Sequence, residues 1–312
     1  MPTTPGRILI TGAAGFVGRH LTIALKSAFP DAALLTPAFD VADAAEVAST
    51  VGEAGPDVCI HLAAISTNAL ARPDEGRAWA VNLHGTLHLA RAILRHAPAC
   101  QMVFASTADA YGASFRPGTK LDESAPLAPL NIYAATKAAA DLALGAMAEQ
   151  GLRVVRLRPF NHTGPGQSSG LVVAAFARQI ARIEAGLQQP VMSVGNLQPK
   201  RDFLDVRDVC AAYIACLARQ DVIEPGAIFN IASGEARRIG DVLEALKELA
   251  GVTADIQVDS ERTRTTDVPL AWCDPARARD VLGWAASTPW HQTLHDVLDD
   301  WRQQIAVEPE SL

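Results

Sequence analysis

Short runs of hydrophobic residues alternate with longer stretches of helical periodicity along the first half of the chain. We predict a β-strand at each hydrophobic run: 7–11, 33–36, 57–62, 101–106 and 153–157. Strands that are apolar along their whole length and separated by helices are typical of a parallel sheet covered on both faces. The pattern therefore predicts an α/β fold built on a doubly wound parallel sheet.

The pattern changes after the turn-rich stretch 161–167, where a helical segment at 171–185 precedes shorter and less regular elements. Segments 203–219 and 227–231 have the periodicity of a helix and a strand that return to the sheet, and 290–301 that of an amphipathic helix. We therefore predict a larger domain and a smaller C-terminal domain. Their bounds are 1–164 plus about 203–231 for the first, and 165–202 plus 232–312 for the second.

The 312 residues carry a net charge of −7 at pH 7, and the isoelectric point is near 5.6. Such a balance gives no general attraction for phosphate backbones or anionic membranes, so we expect neither nucleic acid nor a membrane as a partner. No apolar run approaches the roughly 20 residues that span a bilayer, and the N-terminus lacks the hydrophobic region of a signal peptide. We predict a cytoplasmic protein.

The five cysteines are scattered along the chain and are never spaced as C-x-x-C. The eight histidines do not cluster at the spacing of metal ligands. We therefore expect reduced, structural thiols and no metal site.

Three glycines, Gly12, Gly15 and Gly18, follow the first predicted strand, with Phe16 and Val17 between the last two. A helix is predicted directly after them, over 19–28. Glycines in this position permit a tight turn and a close approach of the backbone, and a helix N-terminus offers N–H donors to an anion. A pyrophosphate requires both features. The motif predicts a Rossmann-type sheet that binds NAD(P)H.

The choice between NADH and NADPH is undetermined by the second strand. That strand ends in Leu35-Thr36-Pro37, which offers neither the acid typical of NAD sites nor the cation typical of NADP sites. Asp40 and Val41 follow closely and are candidates to meet the adenine edge. Asp40 is equally a candidate for a helix N-cap.

Tyr133 and Lys137 are four residues apart, which places both side chains on one face of a helix. A nearby cation favours an ionised phenol, so we expect Lys137 to bring the pKa of Tyr133 towards neutrality and Tyr133 to act as an acid or base. Thr107 lies at the carboxyl end of the fourth predicted strand, where ligands bind in parallel sheets. Asp109 is an additional catalytic candidate at the same edge.

Further motifs accompany these residues in a fixed order: 57–64, 82–86, 106–112, 133–137 and 201–208. Together with the glycine motif they resemble the extended short-chain dehydrogenases/reductases that act on nucleotide sugars, over nearly the whole chain. The resemblance implies a catalytic triad of Thr107, Tyr133 and Lys137, with Lys137 also binding the nicotinamide ribose. It implies that Ala63 and Ala64 line the cofactor and that Asn82 supports the site.

Segment 158–167 resembles the branch of this family that reduces 4-keto-6-deoxy sugars linked to GDP. The resemblance implies that Asn161 and Arg201 contact a GDP-linked nucleotide sugar and that the smaller domain binds this substrate. Arg264 matches a further diphosphate-binding arginine, although Thr265 stands where relatives commonly carry proline. Guanidinium groups suit diphosphate oxygens, and a net-acidic protein needs local cations to hold an anion.

Other activities fit the same motifs. A nucleotide-sugar 4,6-dehydratase or 4-epimerase would use the same triad but return the hydride to the sugar, and Asp109 could serve such an elimination. A redox sensor that binds NAD(P) without turnover is a remote alternative, disfavoured because binding alone does not require the Tyr133–Lys137 pair. The family resemblance also implies a homodimer, formed by helices near 83–96 and 132–147.

Overall fold

The computed structural model describes residues 5–259 and 268–307. The strands are, in chain order, β1 (Arg7–Thr11), β2 (Ala33–Leu35), β3 (Val58–His61), β4 (Gln101–Ala105), β5 (Val154–Pro159), β6 (Asn161–Thr163), β7 (Val191–Val194), β8 (Lys200–Asp205), β9 (Ala227–Ile231), β10 (Ala236–Arg238), β11 (Asp255–Val258) and β12 (Leu270–Ala271). The helices are α1 (Phe16–Ala28), α2 (Ala44–Ala54), α3 (Asn68–Ala71), α4 (Glu75–Trp79), α5 (Thr86–His96), α6 (Ile132–Ala148), α7 (Val172–Glu184), α8 (Val206–Ala218), α9 (Ile239–Ala250) and α10 (Trp290–Ala306).

The larger sheet contains six parallel strands in the order β2-β1-β3-β4-β5-β9. The chain runs from β1 to β2 on one side and then returns to β3 on the other side of β1. Ligands of open parallel sheets bind at such a reversal, beyond the carboxyl ends of the strands. The turn after β1 and the loop after β3 therefore form the expected binding crevice.

Successive residues of the central strands enter two different hydrophobic cores. Ile8 and Ile10 of β1 pack with α1 and α8, whereas Leu9 between them packs with α2, α5 and α6. Residues of a strand alternate between the faces of its sheet, so both faces must be covered for every strand residue to be apolar. This covering confirms the predicted doubly wound α/β architecture.

The remaining elements surround a third core, made by α7, α9 and α10. Strand β8 pairs with β6, β10 and β12 in a small mixed sheet, and β7 pairs with β11. Strand β6 follows β5 directly, so the small sheet begins next to the carboxyl end of the large one. The predicted domain bounds stay a prediction.

Three predicted helices differ from the observed ones by three or more residues at one end. The helix predicted at 203–219 is wrong for its first three residues, which complete β8 of the small sheet, and α8 begins at Val206. The carboxylate of Asp205 accepts a hydrogen bond from the Arg207 N–H at 2.7 Å and caps the helix there. Helix α1 begins at Phe16, three residues earlier than predicted, and α10 continues to Ala306.

No helix in the described part of the chain is both long and apolar enough to cross a membrane. The same residues contain no cluster of three or more metal-binding side chains. All five cysteines are buried and none forms a disulfide.

Candidate functional site

The glycine-rich turn after β1 is closely packed against neighbouring backbone. Gly12 has a φ of +72°, and a Cβ added there would lie 2.6 Å from the backbone nitrogen of Ala63. A Cβ on Gly18 would lie 2.4 Å from the carbonyl oxygen of Gly12. Side chains at these two positions are excluded, because backbone atoms cannot move aside as a flexible side chain can.

Helix α1 starts at this turn without a side-chain cap, since its N-cap residue is Gly15. The N–H groups of the first turn, which includes Phe16 and Val17, therefore suit an anion. Ala63 and Ala64 lie beside the turn, after β3, and the Ala63 N–H donates to Thr11 Oγ1 at 3.2 Å. The space and the donors fit the pyrophosphate of a dinucleotide.

Asp40 is held by two nearby donors. Its carboxylate accepts hydrogen bonds from the Ala42 N–H at 2.9 Å and from Arg77 Nη2 at 2.8 Å, and these contacts lower its pKa. The interpretation of Asp40 as a helix N-cap is wrong, because Asp43 caps α2 instead. Val41 is buried, with 5% of its surface exposed.

The three proposed catalytic side chains meet at the carboxyl end of β4. Thr107 follows that strand, and its side chain is hydrogen-bonded to the Tyr133 hydroxyl. Asn131 caps α6, which places Tyr133 in the first turn and Lys137 one turn later. The Lys137 ammonium is buried and lies 4.1 Å from the centre of the Phe104 ring. The structure thus brings together the residues that the sequence spacing selected.

The pKa of Tyr133 is shifted in the direction opposite to the one expected from its sequence neighbour. Burial raises it well above its ordinary value, the Asp109 charge adds to the rise, and the hydrogen bond with Thr107 opposes it. Burial also lowers the pKa of Lys137 to about 7, against the effect of the Asp141 carboxylate. The Tyr133 phenol is therefore protonated at neutral pH, and its activation by Lys137 to an ionised state is not supported.

Asn82 connects the loop after β3 to the helix that carries the tyrosine. Its amide exchanges hydrogen bonds with the backbone of Ile65 at 2.8 and 3.0 Å and donates to Thr136 Oγ1 at 2.9 Å. Thr136 donates in turn to the carbonyl oxygen of Tyr133 at 2.8 Å. Asn82 lies in a π-helical turn, Ala80–Gly85, which joins α4 to α5, and such turns are frequent at functional sites.

A buried histidine, which the sequence analysis did not select, extends these contacts to β1. Thr11 Oγ1 donates to His61 Nδ1 at 2.7 Å, and His61 Nε2 donates to Thr86 Oγ1 at 3.0 Å. Thr86 donates its hydroxyl hydrogen to the carbonyl oxygen of Asn82 at 2.7 Å. Its oxygen can therefore only accept from His61, which fixes the donor and the acceptor in each of these hydrogen bonds. Burial and the Lys137 charge lower the pKa of His61 to about 3, so the ring stays neutral.

A carboxylate behind the catalytic residues was also missed from the sequence. Asp141 has no exposed surface and accepts hydrogen bonds from Ser106 at 2.6 Å, from Arg156 at 3.1 Å and from Arg158 at 2.8 and 3.0 Å. Burial alone would raise the pKa of Asp141, yet these donors hold it below its usual range. The sequence feature that could have identified Asp141 is its position four residues after Lys137, on the same face of the helix.

Arg158 continues the network towards the edge of the large sheet. Its Nη1 donates to the Tyr111 hydroxyl at 2.9 Å, and Tyr111 donates to Asn230 Oδ1 at 2.8 Å. Burial raises the pKa of Tyr111 to about 12. Sequence reasoning preferred Asp109, but Asp109 is exposed whereas Tyr111 is fully buried.

The segment after β5, which we call the β6 loop (residues 161–167), carries the first proposed substrate contact. Asn161 is exposed and lies in register with Phe203 of β8. The His162 ring stacks on Phe16, with centroids 6.2 Å apart and planes 9° apart. Burial lowers the pKa of His162, which favours a neutral ring.

Arg201 lies on β8, two residues before the position that faces Asn161. Its Nη1 donates to the carbonyl oxygens of Lys200 and Val268, each at 2.8 Å. Arg237 is its Cα partner on β10, and the Arg237 guanidinium pairs with Glu235 at 2.6 Å and lies over the Trp290 ring. Arg264 lies outside the described residues.

Comparisons with known proteins agree with this arrangement. The model of the NAD dependent epimerase/dehydratase family matches residues 8–232. The chain is 35% identical to GDP-6-deoxy-D-mannose reductase of Pseudomonas aeruginosa over 97% of this chain and 99% of that protein. It is 30% identical to GDP-6-deoxy-D-talose 4-dehydrogenase of Aggregatibacter actinomycetemcomitans, over 89% of this chain and 91% of the relative. The structure of RMD from P. aeruginosa complexed with NADPH superposes with a TM-score of 0.87 at 34% identity, covering 96% and 99% of the two chains.

Replacing Asp141 tests how much the buried network contributes to stability. Asp141→Asn leaves two buried guanidinium groups without a counter-charge, which should lower the free energy of unfolding by about 3–5 kcal/mol. Because the pKa of Asp141 is lowered in the folded protein, its contribution is present at neutral pH and is lost as the pH falls through that value. Urea unfolding from pH 7 downward measures both effects.

The matched control is Glu244→Gln, which makes the same chemical change in an exposed pair with Lys247. This change should cost less than about 1 kcal/mol. A loss for Asp141→Asn as small as that of the control would contradict a stabilising role for the network.

Proposed function

Because the chain belongs to the NAD dependent epimerase/dehydratase family, we propose that it reduces the 4-keto group of a GDP-linked 6-deoxyhexose with NAD(P)H, giving GDP-D-rhamnose. The observation that carries this proposal is that Thr107, Tyr133 and Lys137 meet at the carboxyl end of β4, at the same edge of the parallel sheet as the glycine-rich turn after β1. The alignment with GDP-6-deoxy-D-mannose reductase over nearly the whole of both chains supports the choice of reaction.

Tyr133 is the proposed general acid. Reduction of a ketone places negative charge on the carbonyl oxygen, and a phenol with a raised pKa holds at neutral pH the proton that this oxygen must receive. Thr107 is the second donor to this oxygen, since its hydroxyl already lies within hydrogen-bond reach of the phenol. Asp109 increases the preference of Tyr133 for its protonated form.

Lys137 and the hydrogen bonds that begin at Asn82 hold Tyr133 in position. The relay from Asn82 through Thr136 to the Tyr133 carbonyl fixes the first turn of α6. Lys137 is placed to bind the nicotinamide ribose, as the family resemblance implies. The buried Asp141 next to it favours the charged form of the ammonium.

The glycine-rich turn, the first turn of α1 and the Ala63–Ala64 backbone would hold the dinucleotide. When bound, a reduced nicotinamide supplies the hydride for the carbonyl carbon. The end of β2, Leu35-Thr36-Pro37, carries neither an acid for the ribose hydroxyls nor a cation for a 2′-phosphate.

Asn161 and Arg201 are the proposed contacts to the nucleotide sugar. They occur on the adjacent strands β6 and β8, at the edge where the small sheet adjoins the carboxyl end of β5. Arg201 supplies the local positive charge that a diphosphate requires. A 4,6-dehydratase or epimerase is the second candidate, favoured by the exposed acid Asp109 beside the catalytic tyrosine.

Cofactor stoichiometry distinguishes these candidates. A reductase consumes one equivalent of reduced nicotinamide for each GDP-4-keto-6-deoxymannose, whereas a dehydratase or epimerase regenerates its cofactor internally. We expect equimolar loss of absorbance at 340 nm and GDP-D-rhamnose as the product by chromatography and NMR. Incubation with GDP-mannose should give no keto sugar. Conversion of GDP-mannose without net cofactor consumption would instead establish the dehydratase and make Asp109 a catalytic residue.

Removal of the phenolic hydroxyl tests the general acid. Tyr133→Phe should lower kcat by about 100- to 10,000-fold and leave the Kd of NADPH almost unchanged, because only proton donation is lost. Tyr111→Phe is the control: it removes a buried tyrosine hydroxyl from Arg158 and should reduce stability but retain turnover. Near-normal turnover by Tyr133→Phe would exclude it as the acid.

We further propose that the protein is a homodimer joined through α5 and α6. Leu142 on α6 is 60% exposed, and Ala135, Ala139 and Ala146 continue this accessible apolar face at helical spacing. A contiguous exposed apolar patch of this kind is typical of interaction surfaces.

Leu142→Glu should convert the dimer to a monomer, because a carboxylate at the centre of an apolar interface loses its hydration. Light scattering coupled to gel filtration measures the mass. Val222→Glu, at an apolar position that is 54% exposed and outside these helices, is the control and should stay dimeric. A monomeric wild-type protein would reject the proposed assembly.

A further inference from the structure

The β6 loop is attached to the first two turns of helix α1 by side chains that the catalytic proposal does not use. His20 Nε2 donates to the carbonyl oxygen of Pro165 at 2.8 Å. Arg19 Nη2 donates to the carbonyl oxygen of Gly166 at 3.1 Å, and Arg19 Nη1 donates to that of Ala14 at 3.0 Å. One guanidinium group therefore joins the glycine-rich turn to the β6 loop.

Ring packing and a lack of free space strengthen this attachment. Phe16 stacks on His162 of the loop and makes a T-shaped contact with the His20 ring, with centroids 5.4 Å apart and planes at 79°. A Cβ on Gly164 would lie 2.5 Å from Val206 Cγ1 and 3.8 Å from Phe16 Cζ. The loop is therefore packed between α1 and α8 and cannot shift without moving the start of α1.

Gly166 of the β6 loop is also hydrogen-bonded to the C-terminal helix α10. The Gly166 N–H donates to Asp300 Oδ2 at 2.7 Å, and Gln304 donates to the same oxygen at 2.8 Å. Gly166, with a φ of +79°, thus presents its carbonyl oxygen to α1 and its N–H to α10. The three elements meet at one residue.

We propose that Arg19 and His20 are positioning residues that link dinucleotide binding to nucleotide-sugar binding. A pyrophosphate on the first turn of α1 would restrict the motion of the turn that contains Ala14. Because Arg19 is hydrogen-bonded to both Ala14 and Gly166, the motion of the β6 loop would be restricted as well. Asn161, at the start of that loop, would then be held ready for the sugar nucleotide. The inference rests on the proposed function, because it requires the β6 loop to contact the substrate.

Linkage requires that each ligand tighten the other by the same factor, which is typically about 5- to 150-fold in coupled sites. The effect arises because the first ligand orders a junction that the second ligand would otherwise have to order itself. The residues should therefore affect the KM for the sugar nucleotide and the coupling factor. They should leave kcat unchanged when both ligands are saturating, since neither side chain reaches the triad.

Calorimetry with GDP as the probe, with and without saturating NADP⁺, measures the coupling factor directly. We expect wild-type protein to bind GDP at least about fivefold more tightly in the presence of NADP⁺. The double variant Arg19→Met/His20→Leu should reduce this factor towards one. His20→Gln keeps an N–H donor at similar reach and should retain most of it. Lys26→Ala, in the last turn of α1, should match wild type.

The possible results separate the two proposals. GDP binding by wild type that is unaffected by NADP⁺, or a double variant with undiminished coupling, would overturn the linkage and leave the proposed reductase intact. Absence of GDP binding by wild type would reject the substrate and the linkage together. A double variant that retains the wild-type Tm and kcat but loses the coupling factor would support positioning, because a purely structural role would lower the Tm.

Discussion

Asp141 is a carboxylate without access to solvent, and its two oxygens accept four hydrogen bonds from Ser106, Arg156 and Arg158. An ion in the interior is tolerated only if charged and polar partners replace its lost hydration. The partners lie at the end of β4 and on β5, whereas Asp141 is on α6. Thr107 adjoins Ser106 and Lys137 is one turn from Asp141, so the requirement to neutralise this carboxylate fixes the relative positions of the side chains proposed to be catalytic.

Burial also explains the protonation states of the site. It raises the pKa of Tyr133 and lowers that of Lys137 to about 7 and that of His61 to about 3. Each shift favours the neutral form, because a low-dielectric surrounding disfavours charge of either sign. A neutral His61 keeps one donor and one acceptor nitrogen, as its hydrogen bonds with Thr11 and Thr86 require.

Local features of the fold and the site were predictable from the sequence, and long-range ones were not. The strand positions, the glycine turn and the spacing from Tyr133 to Lys137 depend on residues within one or two turns of each other. Arg158, one partner of Asp141, is 17 residues away from it, and Asn230, one partner of Tyr111, is 119 residues away, so no spacing rule connects these pairs. The helical prediction failed for 203–205, the first three residues of 203–219, because Phe203 and Leu204 suit a buried strand as well as a helix.

The direction of the Tyr133 pKa shift could not be predicted for the same reason. The sequence shows a lysine four residues away, but the depth of burial depends on elements that are distant along the chain. Roles of the site residues that depend on bound ligands stay predictions. The family resemblance, by contrast, drew on motifs spread over the whole chain and is confirmed by the comparisons.

The π-helical turn Ala80–Gly85 gives the helix from Glu75 to His96 one residue more than an uninterrupted α-helix would need. Each residue of an α-helix advances the side-chain direction by roughly 100°. The wider turn therefore allows two requirements to be met at once: Leu89 and Ile93 face the core while Asn82 faces the loop after β3. A one-residue deletion in this turn would restore regular helical hydrogen bonding at the expense of that alignment, so the helix would become more regular and the site less well ordered.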